Sequence, residues 1–411
     1  MSTRSQIAAF WAAIVVVVAV AVACTVLSRP GDQDAAHATD AAAHSFDVTV
    51  GSSGCGDGWG TDDAGKAAEG TLPGGEQSFT ISNGSTGGVE VFLQNVKTKQ
   101  VYLDLESVGP GAKAPARVTL GQGRYRFICF PADSNLAIGP TVTVGAAPSG
   151  SVLTPGVVPI SEAQLIPVAK AYGRWVDGRL PTLQKQVAQL ADDAEEGDLS
   201  SAKRDWLAAH VTYETLGAAY GAFGDYDAKI NGTPASGKTA LDDPDLTGFH
   251  KIEALLWSGA PAAKVAKAAA QLRTDVAALA KAPETDRIDP LDIGLRAHEI
   301  VENTIQFELT GETDAGSHTN LATVAANLEG AQHALDVLED LLKTRYPELQ
   351  KAEASLAASQ KLVASYHKGD TWTPLDSLTT AQRQQLNASL DGTVELLAPV
   401  AEITEPRKAL P

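Results

Sequence analysis

A chain of 411 residues is too long for one average domain, so two domains are the natural expectation. Its formal net charge of −18 leaves no basic stripe to neutralise phosphates, which excludes nucleic acid as a partner and suits a surface that attracts cations. Three cysteines, Cys24, Cys55 and Cys129, all fall early in the chain, and Met1 is the only methionine, so no thioether is on offer to a metal.

Residues 1–30 read as a targeting segment. Arg4 supplies a short positive region, and the stretch from Ile7 to Leu27 is nearly all apolar, about the length a bilayer needs. Ala21-Val22-Ala23-Cys24 is similar to a lipobox, in which Cys24 would carry a lipid as a lipoprotein. The alternative is a single N-terminal membrane anchor with Arg4 inside. Both readings export the rest of the chain and tether it to the outer face of the cytoplasmic membrane. Residues 31–44 are rich in Ala, Asp and His without periodicity, and are expected to form a flexible spacer.

Residues 45–145 have a β texture. Alternating runs occur at 46–50, 77–81, 89–93, 101–105, 124–128 and 141–144, separated by Gly, Pro, Asn and Ser clusters, which predicts a β-sandwich. The run from Leu120 to Cys129 is similar to the cysteine-bearing strand of the cupredoxin fold. A blue-copper site does not follow, because no histidine lies between His44 and His210 and no methionine is present. Cys55 and Cys129 leave two readings open. An even pair in an exported domain allows a disulfide. Two thiolates with Glu90 nearby could instead hold copper or zinc. Residues 146–160, with Pro148, Pro155 and Pro159, read as a linker.

From 161 to 405 the texture is helical. A first helix is expected from Ser161 to Gly197, kinked at Pro181, and a second from Leu199 to Phe223, closed by Gly224. A loop at 228–246 precedes helices near 247–258, 261–281, 288–309, 320–345, 347–368 and 379–400, with no strand pattern. This is an antiparallel all-α bundle. The acidic run Asp192–Glu196 reads as a solvated helix end, and Trp206, Tyr213, Tyr220 and Phe223 as core.

Three of these helices pair an imidazole with a carboxylate. His250 and Glu253 are three apart on an otherwise apolar helix, so both project from one face. His210 and Glu214 are four apart, followed by Asp225 and Asp227. His298 and Glu302 are also four apart. Helical bundles hold metals with such inward-facing pairs, and oxygen and imidazole donors without thiolate suit iron, zinc or manganese. Each pair taken alone is as readily a surface contact or a satisfied core histidine.

The run from Thr247 to Trp257, with His298 to Thr304 and Gly316 to Thr323 downstream, closely resembles the EfeO branch of the imelysin-like family. The resemblance covers residues 45 to 405. It implies a multidomain fold, an N-terminal cupredoxin-like β-sandwich followed by an imelysin-like helical bundle. It further implies an exported, non-enzymatic iron-binding component, working with a membrane iron permease and a haem-dependent, dye-decolourising-type peroxidase. The family motif places His250 and Glu253 at the metal, and Tyr213-Glu214 on the preceding helix. It also points to Cys55, Glu90 and Cys129 as a second metal site, although Arg126 stands where an Asp is expected. Rival readings are a metallopeptidase, which lacks the full His-Glu-x-x-His because Lys251 follows His250, and a metal-free docking protein.

Overall fold

The computed structural model describes residues 44–51, 54–60, 70–132, 134–281 and 288–407. The segment read as a targeting signal and the spacer that follows therefore lie outside the described residues, apart from His44. Among those described, no helix is long and apolar enough to cross a membrane.

The first part is a two-sheet sandwich. Strands β1 (His44–Val50), β2 (Cys55–Asp57), β4 (Gly75–Asn83) and β7 (Lys113–Leu120) form one sheet in the order β2-β1-β4-β7, with β1 and β4 parallel. The second sheet runs β3 (Thr71–Leu72), β10 (Val142–Val144), β8 (Gly123–Pro131), β5 (Val89–Asn95), β6 (Val101–Val108), with β9 (Ala137–Ile138) added to β8. β4 buries every second residue, the period a sheet with one packed face demands. β7 was not visible in the sequence because Lys113, Pro115 and Arg117 interrupt its pattern. As an edge strand it tolerates a proline that a central strand would not.

Between the sheets, Trp59, Phe79 and Phe127 meet edge to face at 5.4–5.7 Å. Beside them Cys55 on β2 and Cys129 on β8 form a disulfide that joins the two sheets. Of the two readings open for this pair, the structure shows the disulfide. It ties up both thiolates, so a thiolate metal site with Glu90 does not form in this state. The bridge closes a sequence separation of 74 residues. Replacing both cysteines by serine is expected to cost about 4 kcal/mol through the freed unfolded chain. Urea unfolding followed by Trp59 fluorescence checks this, and an unchanged midpoint would contradict it.

The second part is the helical bundle. Helix α1 (Glu162–Glu196) runs unbroken through Pro167 and Pro181 and ends at Gly197 in the left-handed region, φ 81°. The acidic run at its end is not wholly solvated: Asp193 is buried and accepts a bond from Gln189 Nε2 at 2.9 Å. Helix α2 (Leu199–Glu214) stops nine residues short of the expected end. A 3₁₀ turn at Gly217–Ala219 and the short α3 (Tyr220–Phe223) follow, with Ala218 N–H donating to the buried Tyr172 hydroxyl.

Then come α4 (Asp225–Asn231), α5 (Gly248–Trp257), α6 (Ala262–Leu279), α7 (Asp292–Asn303), a π-helical turn at Thr304–Glu308, α8 (Asn320–Leu342), α9 (Leu349–Ala364) and α10 (Thr380–Thr404). A small hairpin, β11 (His367–Lys368) with β12 (Thr371–Trp372), stands at and just past the end of the helix expected at 347–368, where no strand was expected. Two-residue strands are too short to leave a pattern, and this one is held by His367 stacked on Trp372 at 4.5 Å. The end of the chain returns to the sandwich, where Arg407 Nε pairs with Asp104 Oδ2 at 2.8 Å.

Candidate metal centre

Helix α5 carries the first two site residues. Gly248 opens it with φ +77°, and a Cβ there would lie 2.1 Å from the Ile230 carbonyl oxygen. Only glycine lets the chain turn into the helix so close to α4. His250 and Glu253 then face inward together, both buried.

Glu253 is fixed by the loop before α8. Its Oε1 accepts the backbone N–H groups of Gly316 at 3.0 Å and Ser317 at 2.8 Å. Both bonds fall on one oxygen. A Cβ at Gly316 would crowd Trp257 Cβ at 3.0 Å and Glu253 Oε1 at 3.4 Å, so the approach depends on the missing side chain. The same loop delivers Asp314, fully buried and at φ 48°. Its Oδ2 accepts the Thr323 hydroxyl at 2.6 Å, while Oδ1 has no hydrogen-bond partner.

His250, Glu253 and Asp314 each bring one ligand atom to a common point, all within 4.8 Å of one another. Ligand bonds of about 2.0–2.4 Å would allow opposite ligands to stand that far apart around one ion. Burial, aided by the neighbouring His210, pushes the His250 pKa down, so its imidazole is neutral and able to ligate. Burial and then, among the neighbouring charges, the Glu253 carboxylate raise Asp314, against the pull of His210. Two buried carboxylates held this close gain most from a cation between them.

A second layer lies behind. His210 on α2 is buried, with Nε2 3.1 Å from Glu214 Oε1 and Nδ1 3.7 Å from Asp314 Oδ1. Neither nitrogen makes an aligned hydrogen bond, so both contacts act as ion pairs. Burial opposes the charge on His210, but Asp314, Glu214 and Glu308 outweigh it and push its pKa up to about 9. Glu214 is buried too. Desolvation works against its charge, and His210 and Asn231 hold it below its ordinary value. Its Oε1 accepts Asn231 Nδ2 at 2.6 Å and its Oε2 accepts the Tyr220 hydroxyl at 3.4 Å. With the amide of Asn327 turned to satisfy its neighbours, that side chain also donates to Oε2 at 3.0 Å. Glu308 ends the π turn, where its pKa is driven up to about 8, first by burial and then by Asp314 and Glu214. π turns recur at functional sites because they re-aim side chains inside a helix.

His298 and Glu302 lie elsewhere. On α7 they face each other at 3.9 Å, half-buried, and neither joins the three-residue group. The spacing that made them candidates is met on any helix. Asp314 was missed because it sits on a loop without period, although the Gly316–Thr323 stretch beside it carried part of the resemblance.

The three-residue group opens on a cavity of about 740 Å³, lined by the 233–241 loop, Trp257, Phe307, His250, Glu253 and Asp314. Lys251, on the other side of α5, holds that loop: its Nζ donates to the carbonyls of Ala240, Leu241 and Asp243 at 2.7, 3.1 and 2.9 Å. Lys251→Met is expected to lower stability by about 2 kcal/mol and to speed amide exchange across 235–245. Denaturant unfolding and exchange mass spectrometry read these, and unchanged exchange would show that the loop is held by other contacts.

The architecture is a sandwich joined to a helical bundle, with a buried His-Glu-Asp group beside a cavity that could hold a metal ion. A family model described as Peptidase_M75: Imelysin matches residues 168–400, and the chain belongs to the imelysin family. It is also similar to the protein named "Iron uptake system component EfeO" from Escherichia coli strain K12 and from Shigella flexneri. Each is 27% identical over 332 residues, covering 80% of this chain and 85% of the relative. The EfeO-type resemblance read from the Thr247–Trp257 stretch agrees with these relatives.

Proposed function

We propose that this chain is the iron-binding component of an uptake system, capturing iron outside the cytoplasm and passing it to a membrane permease. One observation carries the reading: His250, Glu253 and Asp314 converge within 4.8 Å on a buried point that a cavity opens to solvent. Hard oxygen donors with one imidazole and no sulfur suit iron, and zinc or copper compete for the same donors. The relatives carry the name of an iron uptake component. His210, paired with Glu214, stands 3.7 Å behind Asp314 and supplies a charge partner to it. The surface charge of −18 raises the local cation concentration. The N-terminal apolar segment tethers the protein to the membrane, and a haem-dependent peroxidase is a further partner. The sandwich, its cysteines bridged, serves as a docking or supporting domain.

The imelysin name also covers peptidases, and a second reading would place zinc at the same ligands. A hydrolytic zinc site needs a general base beside the metal. Lys251, which follows His250, is turned away to the loop carbonyls, and the reading of choice is a non-catalytic one.

The test is titration of the full chain with iron, zinc and copper, wild type beside His250→Ala/Glu253→Ala. One iron per chain, lost in the double variant, is expected. Iron binding that survives the double substitution, or peptide hydrolysis by the zinc-loaded wild type, would overturn the proposal.

A further inference from the structure

We propose that the cavity above His250, Glu253 and Asp314 receives iron(III) still held by a small aromatic oxygen chelator of the catecholate class. The inference rests on the iron-binding reading and adds the form in which the ion arrives.

Three protein ligands leave about three positions open on an octahedral ion. Three waters would fill them in about 90 Å³. The cavity of about 740 Å³ is far larger and falls in the range of small-molecule sites, about 300–1,000 Å³. Its walls are also wrong for a hydrated ion. Leu241 and Phe307, on the 233–241 loop and the π turn, are 47% and 45% exposed, among the few large apolar side chains left so open, and both line this cavity. Trp257 lines it too. Its ring is braced edge-on by Trp206 at 5.3 Å, with Lys203 Nζ 4.8 Å from its centre. The braced indole and the exposed phenyl give the cavity an aromatic lining against which a planar ring can pack.

Charge narrows the class. Glu253 and Asp314 with iron(III) leave one positive charge, which a catecholate dianion turns into one negative. A hydroxycarboxylate such as citrate would bring further free carboxylates beside Glu312, which also lines the cavity. The chelator arrives already deprotonated, its two oxygens holding two positions on the ion; His250, Glu253 and Asp314 take three more by displacing three waters to solvent, and one water stays. No electron is transferred.

The experiment titrates the full chain with iron(III) alone, then with iron(III) plus catechol and iron(III) plus citrate, following visible charge-transfer absorption and protein-bound iron. A 1:1:1 protein–iron–catechol complex is expected, with an absorption distinct from free iron–catechol. Phe307→Ala should weaken that complex by about tenfold, while leaving binding of iron alone within about twofold. Leu241→Ala is a second variant in the same lining, expected to act in the same direction. Catechol that strips the iron, or that binds equally well in both variants, overturns the inference and leaves the iron site standing. Citrate forming the tighter ternary complex overturns the aromatic class. Failure of iron(III) alone to bind sinks the underlying reading instead.

Discussion

Asp314→Asn is expected to weaken iron binding by about 100-fold or more while leaving the fold intact. The loss of a metal-facing carboxylate exceeds the roughly 10–100-fold that even outer partners of a metal contribute. Asp314 is fully buried, its Oδ1 lacks a hydrogen-bond partner, and one of its carboxylate oxygens lies within 4.8 Å of ligand atoms of His250 and Glu253. Asparagine keeps the shape and the bond from Thr323, and it tolerates the positive φ of 48°. It also removes one of the carboxylates paired with the buried His210, so the metal-free variant should stay folded but melt lower than wild type. Competition against a chelator of known affinity reads the binding. An affinity within twofold of wild type would remove Asp314 from the ligand set.

The second large effect is on stability. His210→Leu is expected to destabilise the metal-free protein by about 3–5 kcal/mol, because it strands the buried carboxylates of Glu214 and Asp314 without their cation. The same group sets a pH dependence. The folded His210 pKa of about 9 lies above its ordinary 6.5, so its contribution is complete below pH 6.5 and is lost as pH rises through 9. Glu308, raised from 4.5 to about 8, acts in the same direction: the folded chain holds a proton that the unfolded chain has released, and stability falls across that interval. Thermal melts of chelator-treated protein should therefore give a lower Tm at pH 9 than at pH 6. A Tm that rises over that range would contradict the paired His210. Bound iron should reduce the slope, since a metal supplies the positive charge the proton otherwise provides.

Much of the fold was legible because its periods are strong. The alternation in β4 and the apolar face of α5 each follow from one-dimensional spacing. What spacing could not give was the break after Glu214. There Gly217 packs with its Cα 1.5 Å or so short of a Cβ that would meet Ile300 at 3.0 Å, a contact set by α7 rather than by neighbours in sequence. Nor could it give the partners of Glu253, since Gly316 lies 63 residues away on a loop. His250 and Glu253 were visible because a helix brings positions three apart together. The same rule made His298 and Glu302 look equal to them, and only burial in three dimensions separates the pairs: His250 and Glu253 are enclosed, while Glu302 is half-exposed. A candidate site assembled from one helix and one loop shows only its helical half to a reader of the sequence.

The most direct measurement is anomalous diffraction at the iron edge from crystals of the protein grown or soaked with iron. A single strong peak is expected about 2.0–2.4 Å from a nitrogen of His250 and an oxygen each of Glu253 and Asp314. A peak at His298 and Glu302, or in the sandwich, with none at this triad, would contradict the assignment of iron to the helical domain's buried floor.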